Sequence, residues 1–176
     1  VDFKAIKMDV TGLTNRPENP KQTYRIDARG MLMGKGRIRL VMDLPAAAGN
    51  DFFKVSARMG DMELAAMNPT TEPLGNLKIE SGRMTSAEVM ISGTSVKADA
   101  RTTITYEDLK ISLLRSRDHT RRGLISFIAN ETMVKSSNPN EKGLRSGDGS
   151  YDRDPERSFY NYLWKTFYQS LKPIVI

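Results

Sequence analysis

From Val96 to Glu107 the residues alternate without a break. Val96, Ala98, Ala100, Thr102, Ile104 and Tyr106 fall on one side, and Lys97, Asp99, Arg101, Thr103, Thr105 and Glu107 on the other. A period of two places successive side chains on opposite faces of a strand, so this run requires a sheet with one buried and one wet face. An antiparallel sheet tolerates that arrangement, whereas a parallel sheet covered on both faces does not.

The same alternation recurs through much of the chain. Ile6, Met8 and Val10 alternate with Lys7, Asp9 and Thr11; Tyr24, Ile26 and Ala28 alternate with Arg25, Asp27 and Arg29. Ile38, Leu40, Met42 and Leu44 form a third set, and Phe53, Val55, Ala57 and Met59 a fourth. Leu77–Ile79, Ala87–Ile91 and Leu109–Leu113 read as further strands. The segment 15–20 (NRPENP) is a loop, and Ser81-Gly82 and Ser92-Gly93 read as hairpin turns. Seven or eight strands with short connections predict a mainly β fold, an antiparallel meander forming a curved sheet or groove.

Two helices are expected beside the sheet. Asp61 can cap a short helix that runs to Met67 and stops at Asn68-Pro69. The segment 156–171 repeats Phe159, Leu163, Phe167 and Leu171 at four-residue intervals. It reads as an amphipathic helix packed on the sheet, with Asp154 as N-cap, Pro155 in the first turn and Pro173 as terminator. Between sheet and helix, residues 115–122 (RSRDHTRR) form a basic connector and residues 123–134 an apolar segment. Residues 136–155 read as a mobile Ser-, Asn- and Gly-rich loop. The whole of 1–176 is then one β-rich domain: hairpin sheet 1–114, connector and loop 115–155, helix 156–172.

Chemistry-bearing constellations are scarce. Cysteine is absent, which excludes disulfides and thiolate metal sites. His119 is the single histidine and sits in the basic connector, so no two-histidine metal motif can form. Gly30, Gly34 and Gly36 lack the GK[ST] of a phosphate loop. Glu107-Asp108 and Asp152/Asp154 read as solvated turn and cap acids rather than a catalytic pair. The expectation is a non-enzyme without cofactor or metal. The net charge of +6 is spread among alternating signs, and no aromatic nucleic-acid strand motif accompanies it. Arg115, Arg117, Arg121 and Arg122 are read either as a solvated linker or as contacts to lipid headgroups or a partner. No run approaches the length of a membrane span, and a chain opening on Val1 is expected to be a piece of a longer or processed protein.

Four segments carry a family resemblance. They are NPTTEPLGNLKIESGRMTS (68–86), TYEDLKISLL (105–114), RRGLISFIAN (121–130) and RDPERSFYNYLWKTFYQSLK (153–172). Together they resemble the C-terminal region of large AsmA-like (AsmA/TamB-type) envelope proteins of Bacteroidetes-type bacteria. The resemblance covers about 67–171; residues 1–66 match in strand style alone. It implies a periplasmic body on an inner-membrane-anchored parent, a long β-groove, and a role in outer-membrane biogenesis through phospholipid transfer. On that reading Val96, Ala98, Ala100 and Ile104 face the lipid. The alternative is a structural or docking module that uses the aromatic helix to engage an envelope protein. The same small residues can equally sit beneath that helix. A sheet cut from a longer one also exposes an unpaired edge, which invites dimerisation.

Overall fold

The computed structural model describes residues 2–47, 49–75, 77–113 and 134–176. Its centre is one open antiparallel sheet of eight strands. In chain order these are β1 (Phe3–Thr11), β2 (Thr23–Leu32), β3 (Gly36–Pro45), β4 (Phe53–Met59), β5 (Met62–Glu63), β6 (Leu77–Gly93), β7 (Lys97–Leu113) and β8 (Ser146–Asp152). Spatial order follows chain order, β1-β2-β3-β4-β6-β7-β8, with the short β5 pairing beside β4 on β6. A 3-10 turn (Leu64–Met67) leads into α1 (Asn68–Gly75), and α2 (Phe159–Val175) closes the fold.

The expected architecture is present, with several differences of detail. Ser81-Gly82 is not a hairpin turn: β6 runs through it as one 17-residue strand, and β7 matches it in length. The register shifts at Ser81, Arg83 and Ser86 mark irregularities in the ladder instead. Asn68 supports this break, because its side-chain amide donates to the Ile79 carbonyl (2.9 Å) and accepts from the Ile79 N–H (2.8 Å). Asn68-Pro69 does not stop a helix but starts one, since proline is compatible with the first turn, where no N–H is needed. Asp61 caps nothing there, and Met62–Glu63 instead adds a short strand.

The largest departure lies in the predicted loop. Residues 146–152 form β8, seven residues in register with β7 from Lys97↔Asp152 to Thr103↔Ser146. The helix begins later than expected, with Ser158 as N-cap accepting from the Asn161 N–H at 3.2 Å, and it continues through Pro173 to Val175.

Two buried clusters lie on one side of the sheet. One gathers Leu77, Ile79, Met84, Ile104, Tyr106 and Leu109 around Met62, Leu32 and Ile174, with the 3-10 turn packed on it. The other joins Phe53, Val55, Val89 and Ile91 to Ala98, Ala100 and Tyr162. The helix supplies Tyr162, Thr166, Ser170 and Ile174, spaced four apart and each at most 1% exposed. Small residues let it approach the sheet. A Cβ added at Gly147 would collide with the Ser170 carbonyl oxygen, and one at Gly149 would strike the backbone of Ser170 and Gln169. Across the contact Thr102 Oγ1 and Ser170 Oγ share a buried hydrogen bond of 2.6 Å.

The last carbonyls of α2 are also satisfied by the sheet side. The Tyr106 hydroxyl donates to the Ile174 carbonyl at 3.2 Å, and Lys135 donates from its backbone to Val175 (2.9 Å) and from Nζ to Pro173 (3.0 Å). Terminal carbonyls otherwise lack intrahelical partners, and a cation there complements the helix dipole. Burial raises the Tyr106 phenol above its ordinary value, so it stays a protonated donor.

Two outcomes follow from this packing. Gly149→Ala is expected to destabilise the chain by about 3 kcal/mol, because backbone rather than a mobile side chain blocks the added methyl; the denaturant midpoint measures this. Removing residues 159–176 is expected to abolish the cooperative thermal transition, since both clusters lose helix side chains.

Candidate functional site

The sequence-designated lipid-facing residues do not line an open groove. Ala98, Ala100 and Ile104 are 0%, 4% and 9% exposed, and the first two lie in the cluster that Tyr162 completes. An acyl chain would have to displace α2 to touch them. Val96 is not on that face at all: it sits in the turn before β7 and is 68% exposed. The alternation made it look like a strand residue, but the ladder starts at Lys97. Arg115, Arg117, Arg121 and Arg122, together with His119, lie outside the described residues.

The open part of the apolar face lies at the other end of the sheet. Register carries it across strand by strand. Ala100 is opposite Ile91, Ile91 opposite Val55, Val55 opposite Met42, Met42 opposite Ile26, and Ile26 opposite Val10. The next row runs Thr102, Val89, Ala57, Leu40, Ala28 and Met8. Burial declines along these rows, from buried on β6 and β7, through half-buried Leu40, Met42, Ile26 and Ala28, to open solvent on β1.

On β1 the face ends in Phe3, Ile6, Met8 and Val10, which are 45%, 61%, 60% and 43% exposed. Ala5 has a positive φ of 51°, and the register slips between Lys4 and Lys7. This bulge adds a residue and keeps both Phe3 and Ile6 on the apolar side. Phe3 pairs with Leu32, and Ile6 Cγ1 stands 3.5 Å from the position a Gly30 Cβ would take.

The helix borders this strip. Phe159, Leu163 and Phe167 are partly buried against the same cluster as Leu40, Met42 and Leu44. Phe159 meets Phe53 of β4 edge to face, with ring centroids 5.0 Å apart. This row of α2 therefore faces β4 and the open side, while Tyr162 and Ser170 face the sheet beneath. The apolar surface left open thus runs over β1–β3, and α2 reaches its border at β4, where Phe159 meets Phe53.

The opposite face of the sheet is ionic. Arg25 grips Asp43 through two bonds (2.7 and 2.9 Å), and Arg39 grips Asp27 through two more (3.0 and 2.6 Å). Arg58 pairs with Glu88 at 2.9 Å. A shallow open trough of about 910 Å³ runs across this side, lined among others by Asp43, Lys54, Met90, Arg101 and Asp148. Its charges are of both signs and partly paired, as in Arg101–Asp148 at 3.9 Å. Among the described residues no group of three His, Cys, Asp or Glu side chains is placed to hold a metal. No described helix is long and apolar enough to cross a membrane. No protein-family model, curated protein or solved structure matches this chain.

The hydrogen bond from Arg39 holds the Asp27 carboxyl down to about 2, below its ordinary 3.8. A depressed carboxylate stabilises the fold above its unfolded value and loses that contribution as pH falls through the folded one. Stability from this pair is therefore expected to fade on acidification between about 4 and about 2. Arg39→Ala should move the Asp27 midpoint, read by NMR titration, upward toward 3.8.

Proposed function

We propose that this chain is a non-enzymatic, phospholipid-handling β domain of an AsmA-like envelope protein, working in the periplasm in outer-membrane biogenesis. The observation that carries the reading is the open apolar strip, in which four large apolar side chains of β1 stand exposed at the end of a continuous apolar face. Exposed patches of this kind mark interaction surfaces on folded proteins. An acyl chain laid along Ile6, Met8, Val10, Ile26 and Met42 would remove that surface from water without any rearrangement of the core. The motif resemblance over about 67–171 supplies the envelope context.

This reading relocates the lipid from Ala98 and Ala100 to β1–β3. An aspartate at Ala98 would place a carboxylate beneath Tyr162 and test folding rather than binding. Residues on β1 are free of that difficulty, because all nine are exposed.

The alternative, a module that docks an envelope protein through α2, draws on Tyr160 and Trp164. These lie one turn apart on the helix, 65% and 41% exposed. The remainder of the aromatic face is committed to the fold.

Replacing both Ile6 and Met8 with Asp discriminates between the two. The double variant is expected to keep its melting temperature and to bind a fluorescent phospholipid at least about tenfold more weakly. Unchanged phospholipid binding would remove the acyl-chain reading. Loss of a captured envelope partner on Tyr160→Ala with Trp164→Ala, lipid binding intact, would establish the docking alternative.

A further inference from the structure

We infer that β1 is a self-complementary edge through which two copies of this chain pair antiparallel, about a twofold axis at Met8. The argument begins with an electrostatic mismatch inside one copy. On the ionic face Lys7 lies directly opposite Arg29, and Asp9 directly opposite Asp27. Like charges across a ladder are unfavourable. Arg29 and Asp27 are engaged, in the pairs Arg29–Asp27 (3.5 Å) and Arg39–Asp27 (2.6 Å). Lys7 and Asp9 form no ion pair among the described residues. Both are exposed, on the outermost strand of the sheet.

A second copy of β1 supplies what each lacks. With Met8 opposite Met8, Lys7 falls opposite the other copy's Asp9, and the same pair repeats by symmetry. On the apolar face Ile6 falls opposite Val10. No neighbouring register does this. A slip of two residues in one direction sets Lys7 on Lys7, and in the other sets Asp9 on Asp9. A slip of one sends the apolar set to the ionic face. An isologous twofold contact requires this kind of self-complementarity, in which each residue meets its counterpart's partner. The bulge at Ala5 ends the pairing on one side, leaving Ile6 to Val10 as its core. Edge strands of this length present a full row of unpaired backbone groups, which another strand satisfies directly.

The dimer joins the two open apolar strips. Because the axis stands perpendicular to the sheet, both apolar strips face the same way. They become one continuous apolar surface across both copies. The proposal stands on the charges of the ionic face and does not rest on the lipid reading.

The test is sedimentation equilibrium of the full chain across a concentration series, without lipid. The wild type is expected to associate to a dimer. Lys7→Asp alone, or Asp9→Lys alone, should weaken association about tenfold or more, since two attractive pairs become repulsive. The double variant Lys7→Asp/Asp9→Lys should regain wild-type association. Neither single change threatens the fold, because each places opposite charges across from Arg29 or Asp27 within one copy; the melting temperature should not drop. A wild type that is monomeric throughout would overturn the proposal. So would singles that associate like wild type, or a double variant no better than the singles. Phospholipid binding by a Lys7→Asp monomer would leave the acyl-chain reading standing whichever way association falls, so the two readings fail separately.

Discussion

The close approach of α2 to the sheet governs the rest of the structure. In proteins a helix draws most of its stability from tertiary packing of its amphipathic face rather than from intrinsic propensity. Here it is held by backbone-to-backbone contact, which only residues without a side chain allow: Gly147 and Gly149 on β8, with Ala98 and Ala100 beside them on β7. The small residues are therefore not a vacant floor but a seat. Once seated, the helix buries Tyr162 and Ile174, each worth about 1.5–3 kcal/mol in apolar transfer, and closes the buried Thr102–Ser170 hydrogen bond.

The seat also decides where the apolar face is left open. The face is continuous from β7 to β1, but α2 seats on β7 and β8 and reaches β4 at Phe53 through Phe159 and Tyr162, leaving β1–β3 uncovered. Hydrophobic burial therefore grades off toward β1 instead of stopping. On the reverse side the same strands carry arginine–carboxylate pairs whose exposed members add little stability individually. They keep that side solvated and fix which face turns inward, because a one-residue slip would bury the whole ionic set.

Most strands were legible because alternation is a direct print of half-burial. Ile6 to Val10, Tyr24 to Ala28, Ile38 to Leu44 and Phe53 to Met59 all pair where the pattern places them. β8 was not legible. Its sequence, SGDGSYD, offers Tyr151 as its one large apolar residue, because two of its three inward positions are glycines that admit the helix. A strand selected for thinness reads as a loop. Ser81-Gly82 misled in the opposite sense: a Gly beside Ser signals a turn locally, yet the Asn68 amide absorbs the local break in backbone pairing and the strand continues. The open apolar site was half visible. Pattern shows which residues share a face, but not which part of that face a helix distant in sequence will cover, so Ala98 and Ala100 looked as available as Met8 and Val10.

The two edges of the sheet are treated differently, and the difference has a physical logic. β8 is short, carries Asp148 and Asp152 outward, and has the helix backbone pressed against its glycines. Charge, brevity and cover are the usual means of closing an edge to further pairing. β1 is neither short nor covered: nine residues, all exposed, apolar on one face, with a bulge near its start. Lys7 and Asp9, which form no ion pair among the described residues, are opposite in sign and flank a single residue, Met8. A sheet that seals one side and leaves the other both apolar and charge-patterned concentrates its capacity for interaction in a single strand. The charges that would select a strand partner lie on one face of that strand and its exposed apolar side chains on the other.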